Sequence, residues 1–151
     1  MAMINVVVLG EQECGKTSFI QCCATDIFKA NIYSGPGPGN NSEFWLTEVR
    51  KGEAPTMIIL HDPVKGLKTS DPRAAAAAKD TIKTADAIIF MHDVTDAQSF
   101  PGPYLSWFDQ IGPRNKGVKP LYCMCVATKA DGKGKPRELN GNDQMIEMNK
   151  C

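Results

Sequence analysis

Apolar residues in this chain fall in short β-branched runs separated by stretches of helical spacing. Ile4-Asn5-Val6-Val7-Val8-Leu9 ends at Gly10, and so brief a run of branched side chains predicts a strand covered on both faces. From Lys16 to about Phe28 the apolar positions Phe19, Ile20, Cys23 and Ile27 recur along one side, the spacing of an amphipathic helix. Residues 31–42 then gather Gly35, Pro36, Gly37, Pro38 and Gly39, a composition suited to neither helix nor strand. Phe44 to Val49 and Thr56 to His61 follow as two strand patterns joined through Gly52 and Pro55, which predicts an antiparallel hairpin.

Further along, Asp71-Pro72 precedes Arg73 and five alanines. An N-cap aspartate with proline at the first helical position predicts a helix, here running to about Thr84. Ala87 to His92 is again a buried strand. Ser99-Phe100-Pro101 opens a possible helix through Trp107 and Ile111, although Gly102 and Pro103 work against its first turn. Pro120 introduces a last strand, Leu121 to Ala127, and a short helical pattern spans Asn142 to Lys150. Strands that alternate with helices, apart from one early hairpin, predict an α/β sandwich with a mostly parallel sheet.

A chain of 151 residues fits a single domain able to bury roughly two-thirds of its unfolded surface. Lys plus Arg and Asp plus Glu balance at 17 each, so no net field draws the molecule to nucleic acid or to an anionic membrane. Any anion site is therefore local. The six cysteines lack C-x-x-C spacing, which favours reduced thiols packed as small hydrophobes in a cytoplasmic protein over zinc ligands or disulfides. The N-terminus shows no basic start or cleavage pattern, and no run approaches the ~18 apolar residues of a membrane span.

The local anion site is written at the first strand–helix junction. Gly10-Glu11-Gln12-Glu13-Cys14-Gly15-Lys16-Thr17 satisfies G-x-x-x-x-G-K-[ST], in which backbone amides and the helix N-terminus receive phosphate oxygens. Lys16 is placed for the outer phosphates and the Thr17 hydroxyl for Mg²⁺. The expected fold is thus a P-loop NTPase three-layer α/β sandwich, its mostly parallel sheet carrying one antiparallel hairpin strand.

A P-loop alone does not choose between adenine and guanine. Thr128-Lys129-Ala130-Asp131 stands directly after the last strand, at the edge where open parallel sheets bind ligands. It resembles the N/T-K-x-D motif of Ras-superfamily small GTPases, and Asp93-Val94-Thr95-Asp96-Ala97-Gln98-Ser99-Phe100 is similar to the D-x-[ST]-x-x-x-S-F segment after their fourth strand. The resemblance implies binding of GTP and GDP with Mg²⁺. It assigns nucleotide contacts to Glu13, Cys14, Gly15, Lys16, Thr17, Ser18, Thr128, Lys129 and Asp131, with Asp131 accepting from the guanine N–H groups and the Lys129 stem packing over the nucleotide. Phe28 either meets the edge of the guanine ring or closes the first helix as a core residue. Glu13-Cys14-Gly15-Lys16, the Leu60-His61-Asp62 strand ending and the Phe44 to Asp62 hairpin resemble most the C-terminal GTPase domain of mitochondrial Rho (Miro) proteins. That likeness implies regulatory or effector proteins as partners and, for a Miro-type protein, a cytosol-facing place on the mitochondrial outer membrane.

Several positions depart from the family pattern. The family writes D-x-x-G-Q after its third strand; here Asp62-Pro63-Val64-Lys65-Gly66-Leu67 is one residue longer and ends in leucine. Asp62 either acts on Mg²⁺ through water or simply closes a strand before Pro63. No glutamine follows to orient water, although Gln12 lies inside the P-loop. The switch threonine has no clear equivalent in residues 31–42, where Tyr33, Ser34 and Ser42 are the hydroxyl candidates. His61 and His92 end strands near the ligand edge, as satisfied imidazoles or as phosphate-adjacent groups. Slow GTP hydrolysis is the expectation, with a nucleotide-stabilised module without turnover as the alternative; an ATP-using kinase is disfavoured by the T-K-x-D motif. Only twenty residues follow Asp131, so a truncated domain lacking a last strand and helix is expected, with Leu121 to Val126 left as an edge strand.

Overall fold

The computed structural model describes residues 2–25, 43–51, 54–63, 68, 70–100 and 122–131. Its elements are β1 (Ala2–Gly10), α1 (Lys16–Thr25), β2 (Glu43–Lys51), β3 (Ala54–Asp62), α2 (Pro72–Thr84), β4 (Ala87–Asp93), a 3₁₀ turn (Ala97–Ser99) and β5 (Tyr122–Thr128). The described strands form one sheet in the order β2-β3-β1-β4-β5. β1, β3, β4 and β5 run parallel, and β2 returns antiparallel along β3, with Leu46 opposite Ile59.

β1 is apolar at almost every position because it lies at the centre and alternate side chains enter different cores. Val7 and Leu9 join Ile82, Ala85, Ile88, Phe90 and Phe100 on the α2 side. Val6 and Val8 meet Cys14, Ile20, Leu60 and Met91 on the α1 side. Helices thus cover both faces, and the architecture is the expected three-layer α/β sandwich. Asn5 is the polar exception. Its amide donates to Asp86 Oδ2 at 2.8 Å, and its side-chain oxygen lies 3.2 Å from His61 Nε2.

The start of α2 follows its sequence closely. Asp71 accepts from the Arg73 amide at 2.9 Å and Pro72 occupies the first turn, a cap whose removal typically costs ~1 kcal/mol. Ala74, Ala78 and Ile82 are the buried positions, four residues apart on one face. Two of these three contacts are alanine, so the helix lies close to the sheet; Ala78→Leu would overpack it by about 1–3 kcal/mol.

The hairpin, both later strands and α2 match the pattern reading within one or two residues. The described part of α1 ends at Thr25, so Phe28 lies outside the described residues. So do the proposed helix through Trp107 and Ile111, and the pattern from Asn142 to Lys150. What the structure does describe after β4 is a 3₁₀ turn capped by Asp96, whose carboxylate accepts from Gln98 N at 2.9 Å. β5 has a neighbour on one side only among the described strands, and its Tyr122 and Met124 are 66% and 59% exposed.

Candidate nucleotide-binding site

Four parallel strands end on one edge, at Gly10, Asp62, Asp93 and Thr128. The chain leaves β1 toward β3 on one side and later crosses to β4 on the other, which opens the crevice where such sheets bind ligands. Every described residue of the phosphate and base motifs sits at this edge.

The loop after β1 depends on backbone that side chains disfavour. Gly10 has φ +150°, and a Cβ there would lie 2.3 Å from the Met91 carbonyl oxygen and 2.8 Å from Cys14 Sγ. Glu13 and Gly15 follow with φ of 64° and 91°. Such alternation of left- and right-handed residues turns successive amides toward one concavity. Phe19 N then donates to Gly15 O at 2.9 Å, which begins the α1 ladder.

Lys16 is buried, and its ammonium donates back to Gly10 O at 3.0 Å and Glu11 O at 2.7 Å. Carbonyl contacts of this kind hold a cation in place before any anion arrives. The Cys14 side chain lies in the α1-side core. Burial pushes its thiol pKa up, with the nearby Lys16 charge only partly opposing that, so Cys14 faces the site through its backbone and its sulfur packs as a hydrophobe.

Two adjoining clefts flank this loop. One, of about 500 Å³, is lined by Gln12, Lys16, Thr17, Ser18, Asp62 and Lys68 among others. It brings together Thr17 and Asp62, the pair that the resemblance associates with Mg²⁺. No cluster of three or more His, Cys, Asp or Glu able to hold a metal exists among the described residues. One hydroxyl, one carboxylate and a phosphate-bearing ligand are instead the donor set that suits a largely hydrated Mg²⁺. Lys68 also lines this cleft, its Nζ 3.2 Å from Glu11 Oε2.

The second cleft, about 600 Å³, has Phe19, Cys22 and Val126 as apolar lining and Thr128, Lys129 and Asp131 as polar lining. Glu13, Gly15 and Ser18 line both clefts. A ligand with an anionic tail and a flat polar head would span the two.

Thr128 joins the motifs physically. Its hydroxyl lies 2.8 Å from Cys14 O and 2.9 Å from His92 O, with one proton to give. Lys129 follows in a left-handed conformation, φ 56°, with its ammonium 2.6 Å from Asp93 Oδ2. The other Asp93 oxygen accepts from Thr95 N at 2.8 Å and Thr95 Oγ1 at 2.7 Å. Burial raises the Asp93 pKa, but Lys129 and the two Thr95 donors outweigh it and hold the carboxyl below its usual value. The Ser99 hydroxyl accepts from Asp93 N at 3.1 Å and sits 2.7 Å from Asp96 O. The Asp93 to Phe100 segment is therefore a folded bracket that holds the Lys129 ammonium beside the second cleft.

The histidines lie elsewhere. His61 meets Asn5, and His92 packs on the Phe100 ring at a centroid distance of 4.9 Å. Burial lowers both imidazole pKa values, for His92 against the pull of Asp93, and neither the half-buried His61 nor the buried His92 lines either cleft. Cys125, its thiol pushed up to about 11 by burial, lies 3.4 Å from His92 Nδ1. Tyr33, Ser34, Ser42, Gly66 and Leu67 lie outside the described residues. Sequence reasoning missed Lys68 and the clamp between Asp93 and Lys129. The aspartate that begins the D-x-[ST] segment was a usable signal for the clamp; for Lys68 there was none.

The family model for the Ras family matches residues 5–149. A Ras and EF-hand domain-containing protein from Xenopus tropicalis is 26% identical over 127 residues, covering 84% of this chain and 16% of that protein. With both motifs folded onto one sheet edge, and the family pattern running through nearly the whole sequence, this chain belongs to the Ras family.

Proposed function

We propose that the protein is a Mg²⁺-dependent guanine-nucleotide switch that binds GTP and GDP. The observation that carries this reading is the pair of clefts meeting at Glu13, Gly15 and Ser18, one bearing Lys16 and the other Asp131. Loop amides and Lys16 take the phosphates. Thr17 and Asp62 hold Mg²⁺, which supplies positive charge to the phosphate oxygens when bound. Lys129 lies along the base, and Asp131 accepts the paired donors of guanine, which adenine lacks.

Hydrolysis is slow on this reading, because leucine stands after Gly66 where water would be oriented. The same leucine favours the second reading, a nucleotide-stabilised interaction module without turnover. Glu13-Cys14-Gly15-Lys16 and Leu60-His61-Asp62 support a Miro-like GTPase domain, working with regulatory or effector proteins in the cytoplasm or on the cytosolic face of the mitochondrial outer membrane. No described helix is long and apolar enough to cross a membrane. Nucleotide released from the purified protein by denaturation and identified by chromatography tests the central assignment. Guanine nucleotide is expected, and ATP or ADP in stoichiometric amount would reject it.

A further inference from the structure

Glu11 contacts the two lysines, Lys16 and Lys68, among the described residues lining the first cleft. Its carbonyl oxygen accepts from Lys16 Nζ at 2.7 Å, and its carboxylate holds Lys68 Nζ at 3.2 Å. The two ammonium groups are nonetheless in different states. Lys16 is buried and also tied to Gly10 O, whereas the side chains of Lys68 and Glu11 are 50% and 37% exposed. A buried amine on two carbonyls is a fixed part of the site; a half-exposed ion pair is weak and exchanges readily.

The cleft lined by these cations also contains Glu13 and Asp62. Among the described lining residues the charged side chains therefore balance, and beyond Lys16 and the Mg²⁺ assigned above a further phosphate calls for one more cation. Among the described residues that cation is the half-exposed Lys68. A terminal phosphate offers Lys68 a more highly charged acceptor than one carboxylate does.

From this we infer that Lys68 reads the terminal phosphate: Glu11 holds it in the absence of ligand, and a bound triphosphate takes it over. Lys68 is then a specificity-determining residue that favours triphosphate over diphosphate, and Glu11 is its competitor. The inference rests on the guanine-nucleotide reading above. It involves exchange of an ion-pair partner, with no covalent step.

The test is the ratio of affinities for guanosine 5′-(β,γ-imido)triphosphate and GDP, measured with Mg²⁺ by competition against fluorescent GDP. Lys68→Gln should lower that ratio three- to tenfold, and Glu11→Gln should raise it, since the rival carboxylate is removed while the main-chain contact to Lys16 stays. Circular dichroism confirms that both variants are folded. An unchanged ratio in Lys68→Gln, whether or not both affinities fall together, would overturn the assignment. A fall of the ratio in Glu11→Gln would overturn the competition between the two acceptors. Wild type that binds neither guanine nucleotide would instead remove the underlying site reading, an outcome distinct from an unchanged ratio.

Discussion

The Thr128 hydroxyl oxygen stands 2.8 Å from the carbonyl oxygen of Cys14, although 114 residues separate them in the chain. This contact ties the Thr128 to Asp131 segment to the loop after β1, and on the proposed reading one ligand engages both. Thr128→Val keeps the shape but removes the one hydroxyl proton that the Cys14 and His92 carbonyls share, at a cost of about 1–3 kcal/mol. Urea denaturation should show that loss, and fluorescent GDP should bind more weakly. Thr128→Ser restores the hydroxyl and should recover most of both; equal behaviour of the valine and serine variants would contradict the bridge.

Two glycines in the loop separate steric need from conformational need. At Gly10 an added Cβ meets the main-chain carbonyl oxygen of Met91 at 2.3 Å, while at Gly15 it meets nothing within 4 Å. Gly10→Ala must therefore shift β1 against β4 and should cost more than ~3 kcal/mol. Gly15→Ala carries only the strain of positive φ, about 1–2 kcal/mol. Thermal melts of the two variants should rank in that order, and the reverse order would contradict the loop geometry.

Asp93 makes acid stability a readout of the Lys129 clamp. Its folded pKa lies below the ordinary 3.8 despite burial, because Lys129 and Thr95 favour the carboxylate. A depressed folded value means that the clamp's contribution is present above the unfolded pKa and is lost as pH falls from about there through the folded pKa. Asp93→Asn should therefore be less stable than wild type at neutral pH, with the gap closing below pH ~4. Urea midpoints at a series of pH values measure the gap. A gap that stays constant through the acid range would show that the Asp93 charge is not what holds the clamp.

The sheet was legible because burial on two faces leaves a simple trace: Val6 to Leu9 are all apolar, and α2 advertises its own start with Asp71-Pro72. The phosphate loop was legible because its glycines and lysine are fixed by backbone geometry and charge. Interactions between distant segments left no such trace. Nothing in Thr128 announces that it reaches Cys14, and nothing in Lys68 announces an ion pair with Glu11, since both depend on which strands become neighbours. The histidines show the converse. His61 and His92 end strands at the ligand edge in sequence, yet side-chain alternation turns both to the α2 face, where Asn5 and Phe100 receive them.

The central claim is that the base cleft reads guanine through Asp131, which lines it beside Lys129. Competition binding of GTP, xanthosine triphosphate and ATP to wild type and to Asp131→Asn tests this most directly. Wild type should prefer GTP, because a site built to hydrogen-bond its ligand rejects the wrong analogue by up to ~10⁴-fold. The variant should lose GTP and gain xanthosine triphosphate, since its amide donates to the xanthine 2-oxo group where the carboxylate had accepted from the guanine amine. A wild type that prefers ATP, or a folded variant that loses GTP and xanthosine triphosphate equally, would contradict the assignment.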